Sequence, residues 1–389
     1  MSQLLESRWS ETKEALLEGL QGNKRSVMAT TLENTRKYLA ESATAGATSA
    51  GNVATLNRVI LPVIRRVMPT VIANELVGVQ PMTGPVGQIH TLRVRYADSF
   101  DSTSGTDVTA GDEALSPFKI AEGYSGAVTD KAASTAALEG RAGNRMSIQI
   151  LKQTVEAKTR KLSARWTFEA AQDAQAQQGI DIEAEIMAAL AQEITAEIDQ
   201  EVISSLNSLA GTVLTYDQAA VSGTATFVGD EHAALAVQIN RAANLIAQRT
   251  RRGAGNYAVV SPTVLTLLQS ATTSAFARTT EGTFEAPTNT KFVGTLNSAM
   301  KVYVNGYATS DDVLIGYKGS SESDAPAFYC PYIPLMSSGV VLDPATFEPV
   351  VSFMTRYGYV ELTNTASSLG NAADYLAKVA VTSANLRFA

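Results

Sequence analysis

Residues 179–210 read GIDIEAEIMAALAQEITAEIDQEVISSLNSLA, and this stretch decides the fold. Ile182, Ile186, Leu190, Ile194, Ile198, Val202 and Leu206 recur at a strict step of four. That step is close to the helical period and far from the strand period of two. It over-rotates by about 40° per step, because a turn holds ~3.6 residues, so the apolar stripe winds around the axis. Met187, Ala189, Ile203 and Leu209 widen the stripe where it drifts. Asp181 is placed to cap the N-terminus, and Glu183 and Glu185 follow in the first turn, where the helix dipole favours anions. Gly211 follows the end, where a left-handed cap is cheap. The pattern predicts a helix of roughly 40 Å at ~1.5 Å per residue, packed by several different elements. It is a spine.

Composition bounds what surrounds it. A chain of 389 residues suggests two or three folding units. Charged residues make up 18%, below the usual quarter, so the chain has a large interior or covers its surface with partners. A net charge of −7 gives no electrostatic footprint for wrapping nucleic acid. One cysteine, Cys330, excludes an internal disulfide framework and a multi-cysteine metal site. Two histidines, His90 and His232, leave little material for metal or triad chemistry. The first residues show no basic-then-apolar signal pattern and no apolar run reaches membrane-spanning length, so the chain is expected to be cytosolic when made.

Outward from the spine, residues 2–41 read as a separable unit of two weak amphipathic helices. Leu5, Trp9, Leu16 and Leu20 share one face, and Met28, Leu32 and Leu39 mark a second, short helix. Ser42 to Thr55 (SATAGATSAGNVAT) is a linker composition, so the helices are expected to bind something outside the chain. From Leu56 a short helix passes Pro69 into an alternating strand. There His90, Leu92, Val94 and Tyr96 face one way, and His90 reads as a core histidine. Pro81, Gly84, Pro85 and Gly87 shape a turn rather than a phosphate cradle, because a strand follows and no Lys-Ser/Thr does. Residues 97–145, rich in Asp, Ser, Thr, Gly and Ala, read as an exposed loop or small insertion. Residues 146–168 read as a hairpin that is the most basic part of the chain, with Lys152, Lys158, Arg160, Lys161 and Arg165. Its aromatics, Trp166 and Phe168, are too few to stack nucleic acid.

After the spine, Thr212 to Phe227 suggests a hairpin and Glu231 to Thr250 a helix. Tyr257 to Val260 is a strand, and Ser261-Pro262 supplies a cap with proline at the first helical position. Lys301 to Val304, Val313 to Tyr317, Phe328 to Tyr332, Val340 to Val360 and Val379 to Val381 are strands, so the class is α+β. No constellation rises to an active site. Asp311-Asp312 and the Glu322/Asp324 pair are the only candidate cation ligands, and loop carboxylates are usually just solvated.

Three collinear blocks carry a resemblance. They are VMPTVIANELVGVQPMTGPVGQIHTLR (67–93), VEAKTRKLSARWTFEAAQDAQAQQGIDIEAEIMAALAQEITAEIDQEV (155–202), and KVYVNGYATSDDVLIGYKGSSESDAPAFYCPYIPL (301–335), the last followed by DPATFEPVVSFMTRYGYV (343–360). They resemble the major capsid proteins of T-even-type tailed bacteriophages. The resemblance implies the Hong-Kong-97-type capsid fold: N-arm, extended loop, peripheral domain with a long spine helix, and axial domain. It implies an N-terminal segment at 1–55, N-arm and first peripheral strand at 56–96, and extended loop with a short insertion at 97–168. The peripheral domain with the spine follows at 169–231, the axial domain at 232–335, and return strands at 336–389. The 97–145 region is much shorter than the inserted domain of the T-even members.

The implied function is structural, not enzymatic and without cofactor: hexameric, and in some settings pentameric, capsomers forming an icosahedral or prolate shell around double-stranded DNA. Its implied place is the virion, after assembly in the host cytoplasm, with no membrane partner. Implied partners are other copies of the chain, scaffold, maturation protease, portal, and vertex or decoration proteins. Two related readings stay open: an encapsulin-like compartment shell, or the related vertex (pentamer) protein. A flagellin-like filament would need heptad helices at both termini, and Tyr375 to Ala389 reads as strand. The family's protease cuts after Glu in Leu/Ile-x-Glu, and Leu39-Ala40-Glu41 is the best-placed match, making Glu41 the candidate maturation site. Glu193, Glu197 and Glu201 form an acidic ladder on the spine with no basic residue between Gly179 and Ala210. Since the family's extended loop reaches over a neighbour, Lys158, Arg160, Lys161 and Arg165 are expected to meet that ladder on an adjacent subunit.

Overall fold

The computed structural model describes residues 9, 13, 14, 16, 17, 20–45, 72–99, 108–112, 114, 135–139, 144–178, 181–210, 213–221, 228–250, 252–271, 276–278, 291–297, 299–346, 348–362, 372–382 and 386. In chain order the elements are α1 (Gly22–Ala45), α2 (Ala73–Leu76), β1 (Gly78–Val79), β2 (Val86–Tyr96), α3 (Thr135–Leu138), β3 (Met146–Glu156), β4 (Lys158–Arg165) and α4 (Phe168–Gln178). The spine α5 (Ile182–Leu209) follows, then β5 (Val213–Tyr216), α6 (Gln218–Val221), α7 (Val228–Thr250), β6 (Tyr257–Val260), α8 (Pro262–Ser270), β7 (Phe276–Arg278) and β8 (Lys291–Leu296). The chain continues with β9 (Met300–Val304), β10 (Val313–Gly316), β11 (Ala327–Ser337), β12 (Val341–Leu342), β13 (Pro349–Glu361) and β14 (Leu376–Val381).

The spine forms as its stripe requires. Asp181 takes an extended conformation and its carboxylate accepts the Glu183 N–H at 3.1 Å, which satisfies one orphan donor of the first turn. Leu190, Ile194, Ile198, Val202 and Leu206 are buried, and so are Met187, Ala191 and Ile203 beside them. A winding stripe of this width needs two surfaces to cover it, and the chain supplies two sheets. The first has the order β1-β11-β13-β12, with β4 also paired to β13. The second is seven-stranded, β5-β14-β10-β6-β9-β8-β7. One core joins the spine to the first sheet through Tyr329, Leu335, Val351, Phe353 and Tyr357, and to the second through Tyr257, Val259, Tyr303, Leu314 and Leu376. The alternate residues Ala258, Val260, Val302, Val313 and Ile315 point to the far side of the second sheet, where Leu235, Ile239 and Ile246 of α7 and Leu267 of α8 close a second core. Ser261 caps α8 by accepting the Val264 N–H, with Pro262 at the first position, as the sequence requires.

Several expectations change. β3 and β4 do not form a hairpin: β3 pairs with β2, and β4 pairs antiparallel with β13. β5 pairs parallel with β14 rather than with a local partner. His90 is exposed, because among the described residues the two-stranded β2–β3 ribbon has no second layer over that position. The short helix expected from Leu56 to Pro69, Gly211, and most of 97–145 lie outside the described residues.

The N-terminal segment differs most. α1 runs on to Ala45, four residues into the stretch read as a linker, and it is docked on its own chain. Val27, Met28 and Leu32 are buried in the spine core, joined there by Leu16 and Leu17 from the helical residues before Gly22. Asn34 donates from one amide nitrogen to two main-chain carbonyls, Met82 at 2.6 Å and Tyr332 at 3.1 Å. Removing that donor would strand both acceptors, at about 1–3 kcal/mol for a buried group left unsatisfied.

Three successive spine residues reach three different elements, as the ~100° rotation per residue demands. Asp199 accepts the main-chain N–H of Ile72, at the entry to α2, at 2.9 Å. Gln200 exchanges two amide hydrogen bonds with Asn305, which follows β9, at 2.7 and 3.1 Å. Glu201 meets Arg160 of β4 and Tyr357 of β13. Asp199 is 1% exposed and, among the described residues, its second oxygen, Oδ2, has no hydrogen-bond partner. Desolvation pushes its pKa up to about 7, against the opposing pull of the Ile72 N–H. Between the unfolded carboxyl's range near 4 and about 7, the folded chain therefore holds a proton that the unfolded chain lacks. Stability from this site is full at low pH and falls as pH rises through that window. Asp199→Asn keeps an acceptor for Ile72 without the charge. Its thermal midpoint should match wild type near pH 4 and exceed it at pH 8. A difference that does not change with pH would remove the buried carboxylate from this account.

Candidate functional site

The first candidate site is where β4 crosses the spine. Along β4, Arg160, Leu162 and Ala164 are half-buried toward the spine, while Lys161, Ser163 and Arg165 face out. Arg160 Nε lies 3.2 Å from Glu197, and its terminal nitrogen pairs closely with Glu201. Its guanidinium sits 4.5 Å from the centre of the Tyr357 ring, and the Tyr357 hydroxyl donates to the other oxygen of Glu201. Burial and then this hydrogen bond push the Tyr357 pKa upward, so the phenol remains a neutral donor. Basic strand and acidic ladder thus do meet at Arg160, Glu197 and Glu201, but within one chain. The reason is topological: β4 is a strand of the sheet beneath its own spine. Lys158, Lys161 and Glu193 are exposed, and Arg165 is a loose 3.8 Å from Glu348. Glu41 lies in the last turns of α1, so the expected cleavage position is helical rather than extended.

The second site is the ribbon. β2 and β3 pair in register from Val86↔Glu156 to Tyr96↔Met146, a span of roughly 37 Å at ~3.4 Å per residue. Its near end is anchored by Val155 against Met82, Phe328 and Cys330, and its far end by Tyr96 against Val108 and Ala114. Between them Met146, Ile148 and Ile150 alternate onto one face and are 58, 67 and 66% exposed. A two-stranded ribbon is marginal by itself in water, and a run of exposed large side chains on one face marks a contact surface. The apolar parity of 146–150 was available in the sequence; its pairing with a strand some fifty residues earlier was not.

The candidate cation ligands are engaged elsewhere. Asp311 accepts from Ser261 at 2.8 Å, Asp312 pairs with Lys378 at 2.7 Å, and Asp324 pairs with Arg252 at 2.6 Å. Glu322 accepts the Val79 N–H and pairs with Lys318. Among the described residues no group of three or more His, Cys, Asp or Glu is arranged to hold a metal ion. His232 Nδ1 sits 2.6 Å from Ser270 Oγ, which ties α7 to the end of α8. Cys330 is buried, and burial pushes its thiol up to about 12, away from reactive thiolate chemistry.

The sequence model of the family described as major capsid protein Gp23 matches residues 53–381. The major capsid protein of Vibrio phage KVP40 is 30% identical over 421 aligned residues, covering 85% of this chain and 82% of that one. That of Enterobacteria phage T4 is 30% identical over 411, covering 82% and 78%, and that of Salmonella phage ViI is 32% identical over 356, covering 83% and 80%. Among solved structures, a chain of Mycobacterium phage Bobi aligns with a TM-score of 0.48 at 13% identity, over 80% of this chain and 90% of that one. With the family match running from residue 53 to residue 381, the chain belongs to the Gp23 family, the major capsid proteins of tailed phages.

Proposed function

We propose that this protein builds its capsid shell as a homo-oligomeric lattice of hexameric capsomers around double-stranded DNA, and that the β2–β3 ribbon is the main grip between copies. The observation that carries this is the exposed apolar run of Met146, Ile148 and Ile150 on the two-stranded β2–β3 ribbon. Repeated symmetric contacts let each interface be weak while the shell is strong. The net charge of −7 suits a wall that encloses DNA without binding its sequence. Scaffold, protease and portal act with it during assembly, and the subunit itself performs no catalysis. An encapsulin-like compartment has no support among the relatives, all of them phage major capsid proteins. Processing after Glu41 belongs to this reading. The family match begins at residue 53, beyond the proposed cut. N-terminal mass spectrometry of DNA-filled particles reads it directly, and an intact residue 1–41 segment there refutes it.

The ribbon test is Ile148→Asp with Ile150→Asp. These side chains touch little of their own chain, so the subunit should keep its melting temperature within a few degrees yet fail to assemble. Assembly at the wild-type concentration would sink the ribbon as the grip. The charged residues divide into two kinds. Glu201→Lys faces Arg160 and Tyr357 inside the subunit and should cost roughly 2 kcal/mol of its own stability. Lys161→Glu and Glu193→Lys, both exposed, should leave stability within ~1 kcal/mol and alter only the salt dependence of assembly. A Glu201→Lys subunit as stable as wild type would mean that the β4–spine pair forms between chains instead.

A further inference from the structure

The most heavily built surface not absorbed by shell assembly is the floor under α1. Its stripe runs at helical spacing through Val27, Met28, Thr31, Leu32 and Asn34, all buried. Asn34 reads the carbonyls of Met82 and Tyr332, the point where the segment after β1 stops pairing with β11. Lys24 pairs with Glu75 at 3.3 Å, and Glu75 is held in turn by Lys301 at 3.6 Å and by the Tyr303 hydroxyl. Opposite charges hold the Glu75 carboxyl below its usual range against the penalty of burial. The residues before α1 are laid onto it by Glu33, which accepts from Trp9 Nε1 and from Lys13, each at 3.3 Å. Among the described residues, these anchors lie between residues 9 and 34, upstream of Glu41.

We infer that this floor is a docking site for an amphipathic helix with an amide on its buried face, and that the N-terminal segment remains seated there after the chain is cut downstream of it. The anchors named above, all upstream of the cut, are what hold α1 in place. Scission and departure are therefore separate events, and departure needs something that pries the helix off: a competing helix, or a change in the body beneath it. The segment thus acts as a removable brace across the spine core, the entry to α2 and the edge of the first sheet. Contact with an outside scaffold through this same apolar face is excluded while the brace is seated. This holds whether or not the chain is processed naturally after Glu41, so its failure and the failure of natural processing are separately visible.

The test uses the full chain with a site-specific protease sequence inserted between Gly46 and Val53, cut in solution and run on gel filtration at physiological salt. The N-terminal fragment should co-elute with the body in one-to-one ratio, and an excess of synthetic peptide spanning residues 9–45 should exchange with it. A second protein carrying Met28→Asp and Leu32→Asp should release its fragment at least tenfold more readily on cutting. If that body then precipitates, the bared floor is read in another way, and the inference stands. Quantitative separation of the wild-type fragment from a folded, soluble body would overturn it. So would a Met28→Asp, Leu32→Asp fragment that stays bound as tightly as wild type.

Discussion

One helix has to be buried along a stripe that winds around it, and the rest of the fold follows from how that is done. The spine's apolar residues step by four, so no flat surface can cover them. Two sheets and the entry to α2 close around it, and its polar positions become joints. Asp199, Gln200 and Glu201 each bond a different neighbour, the Ile72 main chain, Asn305 and the Arg160–Tyr357 pair. A shift in any of the three elements has to pass through one of these bonds. The carboxylates of Asp311, Asp312, Glu322 and Asp324 are likewise engaged in holding the scaffold.

What the sequence disclosed was mostly local. The step of four, Asp181 as cap, Ser261-Pro262 opening α8, and the strands β9 and β10 are all present as read, while the strand read over Val340 to Val360 is divided into β12 and β13. Arg160 could have been placed too, since it shares the parity of Leu162 and Ala164, and a strand turns such residues to one face. Treating it only as one of a set of basic residues hid that. Pairing of β3 with β2, of β4 with β13, and of β5 with β14 joins segments far apart in the chain, and periodicity carries no information about such partners. The N-terminal helices misled for a related reason. Their stripes are short, and a short stripe says that a surface is needed without saying that the surface belongs to the same chain.

Interior and exterior divide the work of a shell subunit. Inside, Asp199, Gln200 and Glu201 tie the spine to its neighbours, which fixes one shape for the repeating unit. Outside, a ribbon roughly 37 Å long exposes Met146, Ile148 and Ile150. A subunit with a loose interior would give many shapes and no lattice, and one with a closed exterior would remain a monomer. The exposed Lys158, Lys161 and Glu193 sit between these extremes, able to adjust contacts without determining the fold.

The measurement that tests this division most directly is electron cryomicroscopy of assembled shells at side-chain resolution. The account requires Arg160 to lie between Glu197 and Glu201 of its own chain, with Ile148 and Ile150 covered by a neighbouring copy. A map placing Arg160 on a neighbour's spine, or leaving the ribbon's apolar face open to solvent in the closed shell, would contradict it.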